Sequence, residues 1–344
     1  MRVLLFEFVS GGGWWKIDPL GRPASSLLRE GKTMLASLAA DFAACAGCEV
    51  VLLQDRRVKQ QVEIPGCETV VIRTPVELFR KLREYAPQVD YGVVVAPEFA
   101  DHLYDWSVKW RLLGGQLLGC SELFIRVASS KIQTAARLSE FNVPVPNGLS
   151  ISWPEDLPDD FPYPAILKPD DGAGSQGLLF VRTPRDGRVS RRVNSPLWRL
   201  ERYCPGMPVS VSVMSGPAQT ILLPACLQWL SDDKRFRYRG GMTPLAPELN
   251  ERAHRLAQRV IDALPATHGY FGIDLILGDA DDGRGDVVIE VNPRLTTSYV
   301  GLRTICHQNL AQAMLDLAQG RSCDLSFDDR RVQFTPDGQV VALS

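Results

Sequence analysis

Two carboxylates and an amide near the C-terminal end of the chain have the spacing of a small oxygen-donor site. Asp274 sits inside the apolar run GYFGIDLIL, Glu290 near the end of a second run, VVIEVNPR, and Asn292 follows Glu290 by two residues. In extended chain, side chains two residues apart leave the same face. A hairpin through Asp279–Gly285 would lay Asp274 opposite that face. Two carboxylates and an amide oxygen form a hard donor set suited to Mg²⁺, which keeps waters and substrate phosphates among its ligands. A charge embedded in apolar strands needs a partner, because burying it unpaired is costly, and a metal is an economical one. The intervening DADDGRGD lacks the register of a calcium-binding loop and reads as a polar turn.

A second constellation is ILKPDDGAGSQG, Ile166–Gly177. An apolar strand ends in Lys168, and Gly172, Gly174 and Gly177 follow before the apolar LLFV. Glycines let backbone N–H groups approach a phosphate, Ser175 adds a hydroxyl, and the lysine supplies a point charge. The lysine precedes the glycines and a strand follows, so this is neither a Walker loop nor a dinucleotide fingerprint. A plain glycine hairpin beside an exposed lysine would carry the same letters.

The elements that must position these groups fall into two styles. Over the first 120 or so residues, strands at Val3–Val9, Glu49–Gln54, Thr69–Ile72 and Gly92–Ala96 alternate with helices at about Leu27–Ala46 and Val76–Tyr85. That alternation implies a parallel sheet covered on both faces. A helix at about Lys131–Phe141 then leads into Val143–Pro164, whose prolines exclude a central strand or helix interior and suggest a connector. Strands at Ala165–Lys168, Leu178–Arg182, Val209–Met214 and Thr220–Leu230, a helix at Pro247–Leu264, and strands at Phe271–Leu277 and Asp286–Val291 give the second half an α+β character.

Bulk properties exclude more than they assign. The 344 residues carry 38 basic and 40 acidic side chains, a net charge of −2, which leaves no electrostatic footprint for nucleic acid or a membrane surface. The basic cluster Arg188–Arg192 fits a solvated loop. The apolar start of the chain is short, is broken by Glu7 and lacks a cleavage pattern, so it reads as a first strand rather than a secretion signal. No run approaches the length of a membrane span. Of eight cysteines, Cys45 and Cys48 form a C-x-x-C with no answering pair, which favours structural thiols over metal or redox work. A cytoplasmic location is the expectation.

Taken in order, a lysine on a helix, K-P-x-x-G-x-G-S-x-G, E-x-Y-x-x-G, G-x-D-L and E-x-N-P-R resemble the ATP-grasp superfamily, from about Ser129 to Gly301. The resemblance implies an ATP-grasp fold: an N-terminal parallel α/β domain (1–125), then a central lobe (126–204) and a C-terminal lobe (205–344), both α+β, that clasp ATP. It implies roles as well. Lys131 and Lys168 would contact the phosphates, and the Gly172, Gly174, Ser175 and Gly177 loop would close over them. Glu201 and Tyr203 would read the adenine edge. Asp274, Glu290 and Asn292 would hold Mg²⁺, for which Mn²⁺ can substitute, and Arg294 would lie near an acyl phosphate. One departure is that Pro208 stands where many members have a ribose-binding glutamate two residues after the hinge glycine.

The N-terminal half narrows the resemblance. EFVSGGG (Glu7–Gly13), the Pro-x-Ser-x-Leu-x-x-Glu-Gly of Pro23–Gly31, Met34, Asp41-Phe42, the Tyr-x-Gly-Gly of Tyr238–Gly241 and Pro244 resemble the ATP-grasp group that makes glutamyl amides in methanofuran biosynthesis. The implied reaction joins a small-molecule carboxylate to an amine through an acyl phosphate, releasing ADP and phosphate. Other readings are a ligase of different amino-acid or dipeptide specificity and a nucleotide-binding regulator without ligase activity. Arg294, Arg239 and Arg303 are candidate carboxylate holders, since arginine presents a bidentate fork. Surface positions for Arg239 and Arg303 are an equal alternative. Gly11, Gly12 and Gly13 lie where open α/β sheets bind ligands, though a tight strand-exit turn needs the same residues. Trp14 and Trp15 fit packing better than contact with an aromatic amine. A homodimer is the default assembly.

Overall fold

The computed structural model describes residues 1–343 except 22–24, 153–156, 173, 175, 187–194 and the side chain of Ser25. Ser175, Pro23 and the basic cluster at 188–192 therefore lie outside the described residues.

Apolar runs near the N-terminus form four parallel strands, β1 (Arg2–Glu7), β2 (Glu49–Asp55), β3 (Cys67–Ile72) and β4 (Tyr91–Val95), in the order β3-β2-β1-β4. Helices α1 (Ser25–Ala43), α2 (Pro75–Tyr85) and α3 (His102–Leu112) accompany them. Thr74 caps α2 by accepting from the Glu77 amide, and Pro75 opens it, both standard start signals. The chain leaves β1 toward β2 on one side and returns to β4 on the other. The crevice at the carboxyl ends of β1 and β4 is therefore the topological switch point, where open α/β sheets bind ligands.

Two helices, α4 (Glu122–Ser129) and α5 (Lys131–Glu140), lead to a four-stranded antiparallel sheet. Its strands β5 (Gly148–Ser152), β6 (Ala165–Pro169), β7 (Leu179–Val181) and β8 (Leu197–Arg202) run in the order β5-β8-β6-β7. The proline-rich connector thus contributes a strand, but an edge strand, the place where neighbouring prolines are tolerated.

The remaining strands are β9 (Met207–Ser215), β10 (Thr220–Leu222), β11 (Cys226–Leu230), β12 (Tyr238–Thr243), β13 (Gly269–Leu277), β14 (Val287–Asn292), β15 (Val332–Phe334) and β16 (Val340–Ala342). They form the largest sheet, with β13 held between β9 and β14. The expected single strand at 220–230 is two, interrupted around Leu223 and Pro224. Helices α6 (Pro247–Ala263), α7 (Tyr299–Ile305) and α8 (Leu310–Ala318) complete this part.

The parallel sheet and the largest sheet share continuous apolar cores. One runs from Leu4, Phe6 and Phe124 to Phe271 and Val291, another from Val3 and Leu38 to Met314 and Phe334. The four-stranded sheet has its own small core around Trp198, Leu167 and Leu200.

Two candidate substrate positions also serve this framework. Arg303 on α7 donates Nε to Asp41 Oδ2 at 2.9 Å and pairs bidentately with that carboxylate, which also accepts from Tyr299 Oη at 2.6 Å. Its fork is occupied in joining α7 to α1. Gly11–Gly13 form the exit turn of β1. A Cβ on Gly11 would lie 2.5 Å from the Glu7 carbonyl, and one on Gly13 would lie 2.2 Å from the Phe8 ring, so crowding by the chain itself requires both glycines. Trp14 is buried, and the Arg57 guanidinium stacks 3.6 Å over Trp15, in keeping with packing roles. Cys45 and Cys48 are free, and burial pushes the Cys45 thiol up to about 12, away from thiolate chemistry.

Asp41→Ala should strip partners from Arg303 and from the Tyr299 hydroxyl together, costing about 3 kcal/mol. Urea denaturation checks this, and an unchanged midpoint would show the pair to be dispensable.

Candidate active site

Strands β13 and β14 pair so that Asp274 faces Glu290 directly across the ladder and Gly272 faces Asn292. Asp274 Oδ1 accepts from Gln228 Nε2 of β11 at 2.8 Å, and its Oδ2 accepts from Asn292 Nδ2 at 3.0 Å. Glu290 Oε2 lies 3.4 Å from Nζ of Lys131, the first residue of α5, and the same ammonium donates to the Gly172 carbonyl at 2.6 Å. Lys131 thus links the acidic pair to the start of the glycine loop.

Burial first, and the adjacent Glu290 charge second, push the Asp274 carboxyl up to about 7; the bonds from Asn292 and Gln228 pull the other way. Burial would raise Glu290 too, but the charges of Lys131, Lys168 and Arg294 outweigh it and hold that carboxyl below the usual range. The pair therefore shares its negative charge unequally.

Lys168 comes from the facing sheet. On β6 it stands opposite Arg199 of β8, and Ile166 stands opposite Glu201. Glu201 is closed between two cations: Lys168 Nζ at 2.5 Å from Oε1, and Arg199 Nε donating to Oε2 at 3.1 Å. Glu201 was expected at an adenine hinge, yet its carboxylate is spent on this buried pairing because two charges on the same face of β8 must be neutralised inside the sheet. Arg199 escaped the sequence reading, although the alternation W-R-L-E places 199 and 201 on one face. Lys168 also donates to the Ile289 carbonyl at 3.3 Å, tying β6 to β14.

Between the sheets lies a cavity of about 260 Å³. Lys131, Lys168, Gly172, Gly174, Tyr203, Asp274, Glu290, Asn292 and Arg294 all contribute to its wall. At one end Tyr203 and Phe236 line it, their rings 6.1 Å apart, and Phe180, which lines a neighbouring cleft, meets the Tyr203 ring edge-on at 5.3 Å. Gly174 and Gly177, at φ 62° and 75°, occupy the left-handed region, which suits a loop that must turn tightly near a ligand. Arg239 lines the same neighbouring cleft, of about 1000 Å³. Arg294 reaches in the other direction: Nε lies 2.9 Å from Glu98 Oε1, and Nη2 donates to Oε2 at 3.0 Å. Glu98 follows β4, so this buried pair joins the acidic site to the switch point of the parallel sheet. Neither Glu98 nor Gln228 carried a signal in the sequence, because each is defined only by a distant partner.

The donor chemistry fits a divalent cation that leans on phosphate oxygens. Among the described residues no three His, Cys, Asp or Glu side chains cluster as an all-protein metal cage. Two opposed carboxylates and an adjacent amide, facing two ammonium groups, match a Mg²⁺ site completed by a substrate.

Residues 128–298 match the ATP-grasp domain family, and residues 48–123 match the pre ATP-grasp 3 domain. The chain is an ATP-grasp protein, a ligase by class, with a pre-ATP-grasp domain ahead of its two antiparallel sheets. Along almost its whole length it is similar to the tyramine–L-glutamate ligase of Methanocaldococcus jannaschii, at 25% identity over 337 residues, 97% of this chain and 94% of that one. The Methanocaldococcus fervens protein of the same name is 23% identical, covering 97% and 99%. Among solved structures, an ATP-grasp superfamily protein from Archaeoglobus fulgidus superposes with a TM-score of 0.71 at 22% identity, covering 97% of this chain and 92% of that one. An ADP complex of N5-carboxyaminoimidazole ribonucleotide synthetase gives 0.70 at 16%, covering 97% and 81%.

The raised Asp274 carboxyl has a consequence for stability. The folded protein keeps this proton up to about pH 7, whereas an unfolded chain releases it near about 4. Between those values the folded state binds more protons, so stability falls as pH rises through that window. Urea unfolding without divalent ions should show this slope in the wild type and a flatter one in Asp274→Asn. Parallel profiles would contradict it.

Proposed function

We propose that the protein joins a carboxylate to an amine at the expense of ATP, through an acyl phosphate. The observation that carries the reading is the opposition of Asp274 and Glu290 to Lys131 and Lys168 across one cleft. It concentrates acid and ammonium groups where a nucleotide triphosphate and its cation need them. The ligase names of the relatives support the same reaction, and they suggest the γ-carboxylate of glutamate and tyramine or a similar amine as substrates, in methanofuran-type cofactor biosynthesis.

In this reading residues 1–125, 126–204 and 205–344 act as three units, with ATP between the last two. Lys131 and Lys168 hold the phosphates, and the loop with Gly172, Gly174, Ser175 and Gly177 covers them. Tyr203 and Phe236, with Phe180 packed against the Tyr203 ring, form the apolar wall against adenine, whose edge is read by backbone groups because the Glu201 side chain is engaged. Asp274, Glu290 and Asn292 hold the Mg²⁺, which, when bound, neutralises charge on the phosphate oxygens. Lys168 arrives preorganised: Glu201 fixes its ammonium on one side, so no reorientation is needed when phosphate enters. Arg294, held by Glu98, presents a fixed positive charge beside the acidic pair, where an acyl phosphate oxygen would carry negative charge. Phosphoryl transfer depends mainly on this kind of positioning and charge neutralisation.

The route is testable by isotope. Glutamate carrying ¹⁸O in its γ-carboxylate, with ATP, Mg²⁺ and tyramine, should yield ADP and ¹⁸O-labelled inorganic phosphate. Label in AMP would mean adenylation and would overturn the acyl phosphate.

A further inference from the structure

Glu30 on α1 lines both the inner cavity and the outer cleft. Every other acid on the inner wall has a protein partner: Glu201 has Lys168 and Arg199, Glu290 has Lys131, and Asp274 has Gln228 and Asn292. Arg294, beside them, is taken by Glu98. Glu30 is half-buried and, among the described residues, has neither an ion pair nor a hydrogen bond. Its place is fixed by its neighbour. Gly31 lies against the buried Glu7 carboxyl so closely that a Cβ there would come within 2.5 Å of it. Glu7 in turn accepts from the Val9 and Ser10 amides and the Ser10 hydroxyl at the end of β1. This close approach seats α1 on the parallel sheet and sets Glu30 at the junction of the two cavities.

A recessed carboxylate without a partner is costly, and the cost is relieved by a proton, a hydrogen-bond donor or a cation. The protein supplies none of these by direct contact. Arg29 and Arg294 act on Glu30 through their charge, and burial still raises its carboxyl above the usual range. In an amide-forming reaction the incoming cation is the amine, which arrives as an ammonium. Resting on the ligase reading above, we propose that Glu30 is the catalytic residue that binds the acceptor ammonium and takes its proton. The neutral nitrogen then attacks the acyl carbon and forms the C–N bond. The carbon–oxygen bond to phosphate breaks with its electron pair on phosphate, and the second nitrogen proton leaves with that phosphate. The ammonium thus enters from the cleft side, and the activated carboxylate lies between Glu30 and the Asp274–Glu290 pair.

Hydroxylamine separates the two half-reactions, because it is largely neutral near pH 7 and traps an acyl phosphate without needing a base. With glutamate, ATP and Mg²⁺, the wild type should form the hydroxamate and, with tyramine, the amide. Glu30→Gln should keep hydroxamate formation, lose amide formation by about 100-fold and show a raised KM for tyramine. Glu30→Asp, which keeps the carboxylate, should recover part of the amide rate, and thermal unfolding of both variants verifies the fold. Unchanged tyramine transfer in Glu30→Gln, or loss of hydroxamate together with amide in a folded variant, would overturn the assignment. A wild type that forms no hydroxamate would instead overturn the ligase reading, and the assignment with it.

Discussion

Two carboxylates on neighbouring strands, with their side chains on one face, repel each other, and the cleft is organised around relieving that repulsion. Asp274 keeps its proton to about pH 7 and Glu290 takes the charge, because Lys131, Lys168 and Arg294 converge on the latter. Those cations come from the start of α5, from β6 and from the segment after β14. Arg294 is itself fixed by Glu98 at the switch point of the parallel sheet. Three sheets with separate topologies therefore meet at one electrostatic problem. At effective dielectrics typical of such sites, a few ångströms decide several kcal/mol, so the placement of these elements is constrained far more tightly than apolar packing alone would require.

The sheets are not joined alike. The parallel sheet and the largest sheet share apolar cores, and their relative position is set by close packing. The four-stranded sheet keeps a core of its own and meets the rest through polar contacts. The Ser130 hydroxyl donates to Asp170, the Ala100 amide donates to Asp171, Lys131 reaches Gly172, and Lys168 reaches Ile289. Hydrogen bonds and ion pairs of this kind can be exchanged with water or a ligand, whereas a shared core cannot, and relative motion is the usual behaviour across such an interface. The glycine loop belongs to this more loosely joined sheet, on the side that faces the cavity.

What the sequence made legible was local. The two-residue spacing of Glu290 and Asn292, and Asp274 within an apolar strand, sufficed to foresee the face they share, because strand periodicity is a property of a few residues. The parallel strands were readable as apolar runs, and a helix beginning near Lys131 was foreseen ahead of the proline-rich stretch. Strand β8 was missed because its alternation carries two arginines and a glutamate, letters that suggest a surface until Lys168 is placed beside them. The bond from Arg303 to Asp41, far away in the chain, left no mark in the local pattern. Glu98 and Arg294 find each other across a similar gap. Side chains whose meaning lies in a distant partner cannot be read from spacing.

The central claim is that the acidic pair and the facing lysines form one site for a nucleotide and its divalent cation. Calorimetric titration of a non-hydrolysable ATP analogue, with Mg²⁺ and with chelator, tests it most directly when wild type and Glu290→Gln are compared. Wild type should bind at least about ten-fold more tightly with Mg²⁺, roughly 1.4 kcal/mol, and the variant should lose most of that difference while still binding the analogue. Equal affinity of the wild type in Mg²⁺ and in chelator, or a full Mg²⁺ enhancement in Glu290→Gln, would contradict the account.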